Sequence, residues 1–280
     1  MRFSVRIPTD AVCPSCSAMM VGKGKETMAD NTIAQLHIEH SQLTGVSQIK
    51  DVNLETVRLI KDDHGLPVSL ADIPTDDADT FAMINSGNAE DIFHLAGHGI
   101  KDAAERIRVR SIQELAVLLA LCRRDQTEVL EEYLRRKMGQ ALITYEDPLL
   151  EPVLRETCGL IVYEEQFDRI LFDLAGDQTG AFGYSSLEEA GEMREALKGR
   201  AVPEVATQVE RFTDGCVMKG TLTRSEAMLY FETLLEYVDR CTCRSGAITD
   251  ALLVYQCAYL KTHFPKEYQT AKAAANNEDV

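Results

Sequence analysis

Ser111-Ile112-Gln113-Glu114-Leu115-Ala116-Val117-Leu118-Leu119-Ala120-Leu121-Cys122 is the stretch on which the fold turns. Ser111 followed three residues later by Glu114 has the form of a capping box, in which side chain and backbone exchange hydrogen bonds at a helix start. The run behind it is almost wholly apolar, so the helix that it predicts lies inside a core. Working outward, Leu130 and Leu134 share one helical face that ends in Arg135, Arg136 and Lys137, where cations suit the helix dipole, and Gly139 stops the helix. Asp72 to Asp77 is an acidic loop that caps a helix over 78–85. A short helix is predicted over 53–61, and the 3.6-residue period recurs over 148–156, 163–174, 187–198, 203–217, 224–238 and 245–262. The Ala-rich end after residue 270 is predicted to fray. Strand-like alternation is confined to the first 47 residues, in Arg2–Ile7, Met19–Val21 and Leu36–Ile38. The fold class is therefore mainly α, written α+β for a small β-containing N-terminal part, over 1–50, 51–270 and a tail at 271–280.

The 280 residues are 45% hydrophobic and 26% charged, with 29 Lys and Arg against 45 Asp and Glu, a net charge of −16. That composition describes a water-soluble chain with apolar residues enough for a core, and it excludes nucleic-acid binding by the surface as a whole. With no long apolar run and no secretory signal at the start, the expected location is cytoplasmic, with no membrane partner. Only residues 99–140 reverse the balance, with nine basic residues against seven acidic ones.

Eight cysteines stand mostly alone in helical patterns, as reduced thiols do. Cys13 and Cys16 form a lone CxxC without a second pair at zinc-finger spacing, so they are read as incidental thiols rather than a metal half-site. His94 and His98 have the i, i+4 spacing of paired ligands, yet Gly97 and Gly99 interrupt the helix that this would need. Asp62, Asp63, Asp76, Asp77 and Asp79 flank Gly and Pro turns, where Asp serves as a cap. No Walker loop, GxGxxG, G-x-S-x-G or HExxH occurs. No catalytic residue and no resident metal are assigned on these grounds.

A series of tracts nevertheless resembles, in order and spacing over residues 53–264, the fingers region of the bacterial C-family replicative DNA polymerase, the polymerase III alpha subunit. They are Ile73–Asp77, Ile92–Leu95, Leu115–Leu121, Glu132–Lys137, Asp147–Thr157, Gly159–Gln166, Leu174–Gly176 and Ala251–Lys261. Residues 1–50 resemble the last part of that family's palm more weakly, through Thr32–Ile38. The resemblance implies a helical fingers-like domain after a palm remnant, a role in DNA replication, and partners that are DNA (primer-template), dNTP or replication proteins.

The departures from the family pattern fall on functional positions. The palm's Asp-x-Asp pair is expected upstream of Met1, and the tract with the third Asp is shortened to Gly45–Asn53, where Asp51 alone could stand in. One carboxylate cannot hold two Mg²⁺, so Mg²⁺ is expected only with a palm on another chain. The family's two adjacent arginines for the triphosphate become Arg194-Glu195. Its Tyr-Arg-Pro-Gly-Pro turn becomes Cys122–Gln126, and its Gly-Phe-Asn-Lys-Ser-His tract becomes Thr242–Gly246. The residues inherited for DNA or nucleotide contact are Arg123, Arg135, Arg136, Lys137, Arg194, Arg200, Arg244 and Ser245. Each has a plainer role beside it: Arg135, Arg136 and Lys137 as solvated helix caps, and Arg106, Arg108 and Arg110, alternating at period 2, as a solvated edge. Tyr163–Gln166 reads as a helix-start packing motif. The expected function is a replication-related module that is not catalytically competent alone; the alternative is a non-enzymatic protein-interaction module or relic.

Overall fold

The computed structural model describes residues 46–278 apart from 90, 91, 93, 96, 97, 123–125, 178, 180, 181 and 199–201. Among the described residues the chain is mainly α-helical and holds no strand, only an isolated parallel bridge between Tyr163 and Thr242. Its helices are α1 (Val46–His64), α2 (Ala78–Asn85), α3 (His98–Ile107), α4 (Ile112–Leu121), α5 (Thr127–Lys137), α6 (Glu151–Leu154), α7 (Glu164–Ala175), α8 (Leu187–Lys198), α9 (Val202–Lys219), α10 (Arg224–Tyr237), α11 (Arg244–His263) and α12 (Pro265–Glu278). None is long and apolar enough to cross a membrane. The N-terminal strands expected from the sequence, and Cys13 and Cys16 with them, lie outside the described residues.

The chain divides into two compact units, 46–130 with 245–278 and 131–244. In the first, α4 is the innermost helix: Ile112 and all of Leu115–Leu121 are buried. Ser111 Oγ accepts the Glu114 N–H at 3.2 Å as the capping box requires, but the Glu114 carboxylate returns to the N–H of Arg110, at 2.8 Å. Helix α1 packs against α12 and buries Ile49, Val52, Thr56 and Ile60. Its Asn53 reaches α11 by donating to the Leu253 carbonyl at 3.4 Å and accepting from the Cys257 thiol at 3.0 Å.

Three expectations change here. Helix α1 begins at Val46, not at 53, because its buried stripe continues back to Ile49. The Ala-rich end is not frayed: α12 runs to Glu278 and buries Tyr268 and Ala271, small and aromatic residues that fit closely against a neighbouring helix. Arg106, Arg108 and Arg110 form no edge strand. Arg106 lies in α3, 3.3 Å from Asp102, and Arg108 adopts φ +54° just after the helix end. His94, at φ +62°, lies in a turn outside α3, whose first residue is His98.

Two histidine–carboxylate pairs tie this unit near the α11–α12 corner. His263 is 2.9 Å from Asp77, the N-cap of α2, and His64 is 2.8 Å from Glu267 in the first turn of α12. Burial would raise Asp77, but hydrogen bonds from Thr80 and His263 outweigh it and hold the carboxyl below its usual value. Glu267 is lowered by a backbone N–H and by His64. A carboxyl lowered in the folded state stabilises above its unfolded pKa of about 4 and loses that contribution as pH falls through the folded value. Asp77→Asn and Glu267→Gln are therefore expected to cost stability at pH 7 and to converge with the parent near pH 2, in urea melts at both pH values.

The second unit is built on α7, which packs against α8 and α9, while α9 packs against α10. Phe167, Ile170, Leu171 and Leu174 of α7 meet Leu197, Phe212, Cys216, Phe231 and Leu234 in one core. Gly139, at φ +72°, closes α5, and the N–H groups of Gly139 and Gln140 return to the carbonyls of Arg136 and Arg135.

Candidate functional site

Two of the charged residues that the sequence singles out, Arg194 and Arg244, come together in the second unit at the start of α7. Helix α7 carries Glu164 and Asp168 four residues apart, and α8 carries Arg194 and Lys198 four residues apart, so the packed pair faces acid to base. Arg194 Nε donates to Asp168 Oδ1 at 2.7 Å and Nη2 to Asp168 Oδ2 at 3.4 Å, while Nη1 meets Glu164 at 3.4 Å and Glu195 more closely. Lys198 Nζ lies 2.9 Å from both Glu164 and Glu195. Only 6% of the Arg194 side chain and 5% of the Asp168 side chain reach solvent, so this is a buried pair. Burial pushes the Asp168 carboxyl up to about 6 against the pull of Arg194, and Glu164 and Glu195 add to the rise. Arg194 stays charged: burial alone would lower it, but the surrounding carboxylates raise it.

Each residue of the Tyr163–Gln166 tract has a structural task. Tyr163 is fully buried, and the bridge to Thr242 is closed by Thr242 N to Val162 O at 3.1 Å and Glu164 N to Thr242 O at 3.0 Å. Glu165 accepts the Arg244 N–H on both carboxylate oxygens, at 2.9 and 3.1 Å, and so caps the first turn of α11 from a distant part of the chain. Gln166 Oε1 accepts from the N–H groups of Val162 and Tyr163, both at 2.9 Å. Gln166 Nε2 donates to the Val153 carbonyl at 3.1 Å and to Thr157 Oγ1 at 2.8 Å. The Arg244 guanidinium in turn donates to Glu156, its closest contact 3.0 Å.

Of the residues expected to face DNA or nucleotide, Arg194 and Arg244 thus come to the same helix start, both held by carboxylates. Ser245 follows on α11, where its carbonyl accepts from Thr249 Oγ1 at 2.9 Å. Arg135, Arg136 and Lys137 form the last turn of α5. Arg136 is turned inward, 2.7 Å from Glu132 and donating to the Cys158 carbonyl at 3.1 Å. Arg135 is 57% exposed and 3.5 Å from the same Glu132, and Lys137 is exposed. Arg123 and Arg200 lie outside the described residues. Sequence reasoning passed over Lys198, Glu156 and Asp168 and read Glu164 and Glu165 only as part of a helix-start packing motif; the matching i, i+4 stripes at 164/168 and 194/198 were the available signal.

The family model for the bacterial DNA polymerase III alpha subunit finger domain matches residues 47–220, from α1 through the end of α9. The chain belongs to that family. Its match takes in Arg135, Arg136, Lys137 and Arg194 and stops short of Arg244 and Ser245. Among curated proteins it is similar to the DNA polymerase III subunit alpha of Thermus aquaticus, 30% identical over 230 residues, 80% of this chain and 18% of that one. It is 29% identical over 263 residues to that of Rickettsia prowazekii, 91% of this chain and 22% of the relative. To that of Chlamydia trachomatis it is 28% identical over 236 residues, 84% and 18%. The chain spans about a fifth of the length of these polymerase III alpha relatives.

Proposed function

We propose that the chain is a fingers module of DNA replication that contacts the phosphate backbone of a primer-template through the last turn of α5, and that it does not transfer phosphoryl groups by itself. The observation that carries this reading is the contrast in exposure among the arginines. Arg135 stands 57% exposed beside a carboxylate that it shares with Arg136, and an exposed pair of that kind is worth little and gives way to a phosphate. Arg194 is the opposite case: a triphosphate would have to draw it away from Asp168 inside the fold, so DNA is favoured over dNTP as the ligand. The catalytic part of the proposal draws support from Asp51. It lies on the exposed side of α1 as the single carboxylate of the shortened Gly45–Asn53 tract, and one carboxylate cannot hold two Mg²⁺.

The test is binding of a labelled primer-template by fluorescence anisotropy at about 50 and 200 mM salt, with Arg135→Ala/Lys137→Ala beside the parent. Each phosphate neutralised lowers log K by about 0.9 per decade of salt, so two contacts predict roughly a tenfold loss over that range and a flatter slope for the double variant. Binding that ignores salt, or no binding at 50 mM, overturns the reading. Primer extension with dNTP and Mg²⁺ is expected to yield no product; extension by the purified chain would refute the second half. A protein-binding role is the second reading, favoured by the net charge of −16 and by Met218 and Leu229, which are 62% and 67% exposed.

A further inference from the structure

Helix α10 is apolar on two sides. Ala227, Tyr230, Phe231, Leu234 and Val238 at its end are buried in the second unit's core, yet Met228 and Leu229 point outward, 47% and 67% exposed. Beside its first turn the end of α9 adds Val217 and Met218, 43% and 62% exposed, at an open hollow of about 500 Å³ whose lining includes Val217, Leu222 and Arg224. Large apolar side chains grouped in this way on a soluble surface mark an interaction site. Among the described residues nothing in the unit's packing calls for Leu229 to be apolar, since its helix is already anchored by the opposite side.

The order of charges along the same helix says what fits there. Arg224, Met228, Glu232 and Glu236 recur every four residues and are all exposed, so they form one outward stripe running from cation through methionine to two carboxylates. A copy of this stripe laid antiparallel, with Met228 on the two-fold axis, places Arg224 of each copy opposite Glu232 of the other and closes the two Met228 side chains on each other. The stripe is complementary to itself reversed, the condition for an isologous contact. Arg224 now pairs with Asp214 on the same surface, 59% and 49% exposed, a contact weak enough to be shared. Over 14 residues α10 is about 21 Å long. We infer that α10 is a self-association surface, on which a second copy of this chain docks antiparallel. The inference does not depend on DNA contact by α5.

Sedimentation equilibrium of the full chain from about 5 to 200 µM, the range of a weak protein interface, tests it. The parent is expected to pass from monomer to dimer, and Met228→Glu, which places like charges on the axis, to remain monomeric with an unchanged circular dichroism spectrum. Arg224→Glu and Glu232→Arg each act twice in a two-fold dimer and are expected to weaken it about tenfold. Combined in one chain they restore the pairing in reverse, and association returns to within about threefold of the parent. A parent that is monomeric throughout, a dimer indifferent to Met228→Glu, or a double variant no better than the singles would each overturn the proposal.

Discussion

Arg194→Ala is expected to lower the unfolding free energy by about 3–5 kcal/mol, because it leaves Asp168 buried beside Glu164 and Glu195 without a cation. Most of that loss is the cost of the stranded carboxylate rather than the worth of the pair. Two companions separate these contributions. Arg194→Met with Asp168→Leu removes both charges and is expected to recover most of the stability, as buried pairs replaced by apolar side chains commonly do. Asp168→Asn alone keeps the shape and one hydrogen-bond acceptor, and changes the response to pH. Because folding raises the Asp168 carboxyl from 3.8 to about 6, the folded state holds more protons between those values than the unfolded state does. Its contribution is fully present below about pH 4 and is lost as pH rises through 6. Urea melts from about pH 4 to 7 should show the parent losing that stability and Asp168→Asn lacking the slope. If Arg194→Ala costs under about 1 kcal/mol, the network is solvated and Arg194 is available to a ligand after all.

That experiment bears on function because Arg194 is where the sequence and the fold part company. A cation beside Glu195 is legible in the sequence. Its engagement by Asp168 is not, since the two lie 26 positions apart and meet only when α8 packs on α7. The same holds for Arg244 and Glu156, 88 positions apart. Helices α2 and α8, by contrast, begin and end where their patterns predict, because a cap and an apolar period are local. Asp77 accepts the Thr80 N–H and Ser186 that of Glu189, so both starts are set within three residues. Helix α12 was obscured for the converse reason. Its Ala and Asn residues carry little apolar period, and only docking against α1 shows which of them are buried. Local chemistry thus predicted the helices, and the family resemblance implied the cations, whereas the state of those cations depends on long-range contacts.

The second unit depends as much on a close backbone approach as on its charges. Gly183 holds φ +64°, and a Cβ added there would meet the Ala175 carbonyl oxygen at 1.6 Å, far inside any real contact. A Cβ on Gly215 of α9 would stand 2.4 Å from the same oxygen. The end of α7, the loop at 183 and α9 therefore meet at one carbonyl, and only hydrogen atoms fit there. The loop is fixed by two further bonds, Arg211 Nε to the Gly183 carbonyl at 2.6 Å and Asp177 N–H to the Tyr184 carbonyl at 2.9 Å, with the Arg211 guanidinium 4.8 Å above the Tyr184 ring. Tyr184 is fully buried, so a shift of the loop would withdraw a core side chain as well. Gly183→Ala combines left-handed strain of about 1–2 kcal/mol with a backbone overlap that rotamer changes cannot relieve. We expect it to cost more than about 4 kcal/mol, the range reserved for core and backbone disruption, and to leave the 131–244 unit without cooperative unfolding. Gly220→Ala serves as the control, since it has φ +74° but nothing within 4 Å of its Cβ, so it carries the strain without the overlap. Its cost should stay near 1–2 kcal/mol in the same urea titration. Equal losses for the two variants would mean that conformational strain alone, and not the approach to Ala175, makes glycine necessary at 183.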